Sequence, residues 1–201
     1  MKLSEFNKIM NRLNFPERFI KIGRLVYTTI NHETGAKILV GFYLDSSIDK
    51  NSFFVQYFVQ CLYVPFGTYN FSLGDRIGNY WGIDDVDYLN NELKRFGKFY
   101  SLNSFEDFIP YLENNIFYGN EIGRTQYFAF TYFIQKDFVR SLLYLNEIIN
   151  LKSHSNSEWF KEEILSAEFM KNCIEKHNYN DGLEQLIKWQ LHTMKSLKLK
   201  V

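Results

Sequence analysis

The stretch Phe53–Val64, FFVQYFVQCLYV, constrains the fold more than any other part of this chain. Side chains alternate between the two faces of a strand. One face then reads Phe53, Val55, Tyr57, Val59, Cys61 and Tyr63, almost wholly apolar. The other reads Phe54, Gln56, Phe58, Gln60, Leu62 and Val64, apolar but interrupted by amides that need partners if buried. The pattern predicts a long central strand with one face sealed by helices and the other only partly covered. Aromatic residues, 20 Phe, 14 Tyr and 3 Trp, extend the point: there is more ring surface than a sheet core of this length needs. Rings outside the core line binding surfaces.

Around this strand the other elements fall into order. Ser4 to Asn14 carries Phe6, Ile9, Met10 and Leu13 at helical spacing, and Pro16 ends it. Gly23 to Ile30 and Ala36 to Asp45 are β-branched and aromatic runs either side of NHETG, a hairpin. Phe71 to Leu73 reads as a short fourth strand. From Asp84 the pattern turns helical, over DVDYLNNELKRFGKFY and then SFEDFIPYLENN. Two helical stretches follow between Asn120 and Leu151, hinged near Gln135 to Asp137. There Ala129, Tyr132, Ser141, Leu145 and Ile148 have the spacing of a tetratricopeptide-like hairpin. SEWFKEEILSAEFMKNCIEKH makes a further helix. Asn180 to Gly182 then breaks the chain before a helix with an apolar stripe through Leu183, Leu186, Ile187, Leu191, Met194 and Leu197. The class is α+β: an N-terminal helix and an antiparallel sheet of about four strands over residues 1–82, then an all-helical half over residues 83–201. No polar linker separates the two, so they are expected to share a core and unfold as one cooperative unit.

Composition excludes several function classes. Lys plus Arg and Asp plus Glu both number 23, leaving no net field to attract nucleic acid or an acidic membrane. No window reaches the length of a membrane span, and the N-terminus has no signal-peptide run, so the expectation is a cytoplasmic protein. Cys61 and Cys173 are isolated, which fits a reducing compartment. His32, His154, His177 and His192 stand apart without ligand spacing, so no metal site is expected. Asp84, Asp85 and Asp87 lack the remainder of a calcium loop. There is no phosphate-binding loop, nucleophile elbow or dinucleotide fingerprint, so no cofactor is expected and catalytic residues stay unassigned.

What remains is LGDRIGNYW, residues 73–81, in which Arg76 is the one strong cation. Read as a loop leaving the sheet, it presents the Arg76 fork beside Tyr80 and Trp81. With the amides upstream, the candidate site is a groove floored by Gln56 and Gln60 and rimmed by Arg76, Tyr80 and Trp81. The structural alternative pairs Arg76 with Asp75 or with one of Asp84, Asp85 and Asp87, pinning the loop.

The order N-terminal helix, LNF, strand meander, FVQYFVQCLYVP, FSLGDRIGNYW and helices resembles a bacterial domain family of unknown function, the one numbered forty-three-oh-four, over roughly the first 80 to 110 residues. That family carries no established activity, so the resemblance transfers no functional residue. By analogy of size and layout it points toward immunity proteins of bacterial contact-dependent toxin systems. The resulting reading is a protein-binding, immunity-like module. The alternative is a small-molecule binder or an enzyme using a sheet-edge pocket near Arg76. Oligomeric state is not set by the sequence.

Overall fold

A computed structural model describes residues 3–49, 51–96, 102–119, 121–153 and 160–200. The chain divides into two compact units: one of Met1–Ile30, Ile38–Gln60 and Asn70–Tyr118, the other of Asn31–Lys37, Cys61–Tyr69 and Gly119–Val201.

The first unit is built on an antiparallel meander. Strands β1 (Ile20–Ile22), β2 (Leu25–Asn31), β3 (Lys37–Ser46), β4 (Ser52–Cys61) and β5 (Gly74–Gly82) are hydrogen-bonded in sequence order. The sheet has five strands where about four were expected. β1 was missed because three residues, two of them exposed, carry no alternation. β5 was missed because its glycines and polar residues imitate a loop, and Phe71 to Leu73, expected as a strand, lies outside the sheet. β4 stops at Cys61, after which Leu62 and Tyr63 form a turn.

The alternation on β4 holds where the meander covers one face. Phe53, Val55, Tyr57 and Val59 are fully buried, while Phe54 and Gln56 on the opposite face are half-buried. Helix α1 (Leu3–Arg12) seals the buried face through Phe6, Ile9 and Met10, with Phe6 edge-on to Phe53 at 6.5 Å. A lysine caps its C-terminal end: the Lys21 Nζ donates to Met10 O at 2.8 Å and, just past the helix, to Leu13 O at 3.0 Å. Phe42 meets Phe15, Phe19 and Tyr57 at centroid distances of 5.2, 5.8 and 5.4 Å. Further along β4 the outer row closes over. Phe58 is buried because Gly41 makes room for it, a Cβ there falling 3.3 Å from the Phe58 ring. Helices α2 (Val86–Arg95) and α3 (Phe108–Asn114) complete this unit. The Gly97–Tyr100 end of the expected second helix lies outside the described residues.

The second unit holds α4 (Glu121–Ile134), α5 (Phe138–Asn150), α6 (Lys161–Glu175) and α7 (Tyr179–Ser196). The α4–α5 hinge falls at Gln135–Asp137 as the spacing predicts. Asp137 caps α5 by accepting from Arg140 N at 3.1 Å, and Ser141 Oγ donates to Ala129 O at 2.9 Å where the helices come closest. The expected break at Asn180 to Gly182 is absent. α7 begins at Tyr179, and Gly182 is a packing residue, since a Cβ there would lie 2.4 Å from Phe133 Cζ. His154 and the Ser157–Trp159 start of the expected sixth helix lie outside the described residues.

Polar groups tie the two early segments of this unit to its helices. Gln190 accepts from Lys37 N at 2.7 Å and donates to Gly35 O at 3.0 Å. Tyr63 and Thr131 share a 2.6 Å hydroxyl bond, Thr193 Oγ1 donates to Val64 O at 3.3 Å, and Tyr69 donates to Leu197 O at 3.0 Å. Among the described residues no helix is long and apolar enough to cross a membrane, and no three His, Cys, Asp or Glu side chains gather to hold a metal ion.

Candidate functional site on the outer sheet face

The register between β4 and β5 decides which side chains reach the open face. Gln56 faces Arg76 and Val55 faces Ile77, but the next pair is Phe53 with Trp81, so β5 spends extra residues between Ile77 and Trp81. Such a bulge bends the strand and re-aims side chains. Gly78 makes it possible with φ of 65°, and the Trp81 ring lies over it, within 2.6 Å of where a Cβ would stand. Trp81 Nε1 closes the bulge by donating to Ile77 O at 2.7 Å.

This geometry divides the expected groove. Trp81 is buried opposite Phe53 and belongs to the core. Gln60 is fully buried, and its Oε1 accepts from Asn70 N at 3.0 Å, so it pins the turn after β4. Gln56, Arg76 and Tyr80 do come together on the outer face. The Arg76 guanidinium carbon sits 4.3 Å from the Phe54 ring centroid and 5.8 Å from that of Tyr80, and the two rings meet edge-on at 6.4 Å. Tyr80 is 59% exposed. Phe71, edge-on to Phe58 at 5.0 Å and tilted against Tyr43 at 5.6 Å, carries the aromatic row onward. Of the structural alternative, among the described residues no ion pair joins Arg76 to Asp75, Asp84, Asp85 or Asp87. Asp85 instead accepts from Gly82 N at 2.8 Å at the end of the strand.

Phe54, Tyr43 and Phe71 were not among the expected site residues. The signal for Phe54 was present, since it shares the outer row of β4 with Gln56. Those for Tyr43 and Phe71 depend on pairing that alternation within one strand does not reveal.

A guanidinium over a ring gains quadrupole attraction, and its N–H groups are the donors that recognise a carboxylate. The two cysteines lie elsewhere and are both buried. Complete burial pushes the Cys61 thiol well above its ordinary range, and burial also raises that of Cys173, so neither is poised as a thiolate. Comparison of the chain with protein-family models, with curated proteins and with solved structures finds no match.

Proposed function

We propose that this chain is a cytoplasmic protein-binding module, immunity-like in acting by occupying a partner protein, and that it docks through the outer sheet face around Arg76. The observation that carries this reading is the Arg76 guanidinium held against Phe54 with no carboxylate paired to it among the described residues. Arg and Tyr beside partly exposed rings are the residue types that dominate binding energy at protein interfaces. The charge calls for an acidic side chain on the partner, set beside an apolar one that fits between Phe54, Tyr80 and Phe71. A charge-assisted bond of this kind contributes about 1.5–3 kcal/mol once water is excluded. The alternative reading is a small-molecule binder or an enzyme using a sheet-edge pocket near Arg76.

The test is recovery of a stoichiometric partner from the native host with the wild-type chain, followed by affinity measurement with Arg76→Ala and Arg76→Lys. Arg76→Ala should weaken binding about 10- to 100-fold with the melting temperature nearly unchanged. The lysine variant should recover part of the loss, since it keeps the charge without the planar fork. A fall in stability with undiminished binding would make Arg76 a structural residue and remove the site.

A further inference from the structure

The two helical hairpins of the second unit are copies of one architecture. α4 and α6 end alike. Lys136 N bonds Phe133 O and Asp137 N bonds Tyr132 O in the first, and His177 N bonds Ile174 O and Asn178 N bonds Cys173 O in the second. The turn residues Lys136 and His177 both take left-handed backbone, with φ of 63° and 59°. Equal steps onward from them pair Ser141 with Gly182 and Leu145 with Leu186, and steps back pair Ala129 with Met170, all buried. The matching aromatics Phe138 and Tyr179 stack on one another at 4.2 Å and 7°. Stacking of equivalent positions is how helical repeats build an array, each hairpin covering the face left open by the one before.

In the first copy, the open side of α5 is covered by α6, whose Lys171 Nζ donates to Asn146 Oδ1 at 2.8 Å and whose Glu168 pairs with Lys152. In the second copy the places of Leu142 and Asn146 are taken by Leu183 and Ile187, half-buried, and the row continues to Leu191, which is 47% exposed. The β2–β3 turn closes one flank only, through Gln190 and through Gly35, where a Cβ would be 3.9 Å from Ile187 Cδ1. A cleft of about 440 Å³ remains between Thr34 and the α7 residues Asn180, Leu183, Glu184, Ile187 and Lys188. Charge on this helix changes sign along its length: Asp181 and Glu184 stand near its start, Glu184 3.9 Å from Lys188, and beyond Lys188 come the exposed charges Lys195 and Lys198 with no acid among them. The helix that fills the corresponding place in the first copy carries Glu162, Glu163, Glu168 and Glu175 against Lys161 and Lys171.

We propose that the Leu183–Ile187–Leu191 row of α7 is a docking surface for an amphipathic helix of a partner protein, apolar along one stripe and acidic on its flanks. That helix takes the place a third hairpin's first helix would occupy. A second copy of this chain fits less well, because it would bring the same lysine row against itself. The surface lies in the helical unit, and this inference is independent of the sheet face.

The test uses the full chain and a stapled helical peptide with leucines along one stripe and glutamates on both flanks, alongside a sister peptide with lysine flanks. Saturable binding of the glutamate peptide at about 10–100 μM is expected, with methyl resonance shifts centred on Leu183, Ile187 and Leu191 and affinity falling as salt rises. Leu191→Glu, at an exposed position, should weaken binding about tenfold or more while the melting temperature holds, and Lys195→Glu should weaken it too. The lysine peptide should bind far less. The proposal is overturned by equal binding of the two peptides, by absence of saturation up to about 1 mM, or by shifts away from α7. It is also overturned by a concentration-dependent dimer that Leu191→Glu dissociates, which would assign the face to a second copy.

Discussion

Gly78 concentrates two constraints on one residue, a φ of 65° and a Trp81 ring 2.6 Å from any Cβ. Gly78→Ala should therefore cost about 1–3 kcal/mol by chemical denaturation, and a neutral result would mean the bulge relaxes freely. Buried hydroxyls set a second residue-scale expectation. Tyr111 donates to Tyr57 at 3.3 Å, and burial pushes the Tyr111 phenol from 10.0 up to about 12 and that of Tyr57 higher still. A raised phenol pKa means the folded state holds its proton longer than the unfolded chain does. The stabilisation is complete below pH 10.0 and is lost as pH rises toward about 12. Alkaline melts followed by circular dichroism and tyrosinate absorbance should show unfolding in that window, with a shallower pH dependence in Tyr57→Phe. Burial also separates two substitutions that the sequence pattern treats alike. Phe58→Ala, at a site without exposure, should cost about 3–5 kcal/mol, and Leu191→Ala less than about 1 kcal/mol.

At the scale of elements, the hairpin turns offer a gain in stability. Lys136 occupies left-handed backbone at φ of 63°, a conformation that costs a side chain energy and glycine none. Lys136→Gly should raise stability by about 0.5–1 kcal/mol, read from the shift in denaturation midpoint; a loss would show that the lysine makes a compensating contact. Elements were legible in the sequence where one period dominated. The buried row of β4, the stripe of α1 and the hinge before Asp137 all follow from spacing. β5 was illegible because a bulge breaks its alternation, and a glycine that permits a strand to bend looks the same in sequence as one that ends it. Gly182 misled in the opposite sense: its role is to admit Phe133, a neighbour remote in sequence. The site was half legible for the same reason, since Gln56, Arg76 and Tyr80 share a face only after the bulge has turned Trp81 inward.

At the scale of the molecule, the unit boundaries fall within β2 and β4, whose last residues Asn31 and Cys61 belong to the helical unit. No single cut separates the units. A fragment spanning residues 119–201 lacks Gly35, Lys37, Tyr63 and Val64, the partners of Gln190, Thr131 and Thr193. It should show poorly dispersed amide resonances and no cooperative melt, and the intact chain should give one calorimetric transition. A well-folded fragment or two transitions would contradict this. The same interleaving also sets a timetable. The ribosome delivers Asn31–Lys37 and Cys61–Tyr69 well before α7, and a domain whose contacts span such separations pays loop closure before it gains them. Until α7 has emerged, the carbonyls of Gly35 and Val64 have water as their partner. The helical unit therefore completes its assembly only once α7 has been made, and a nascent chain stalled before Gln190 is one that chaperones should hold.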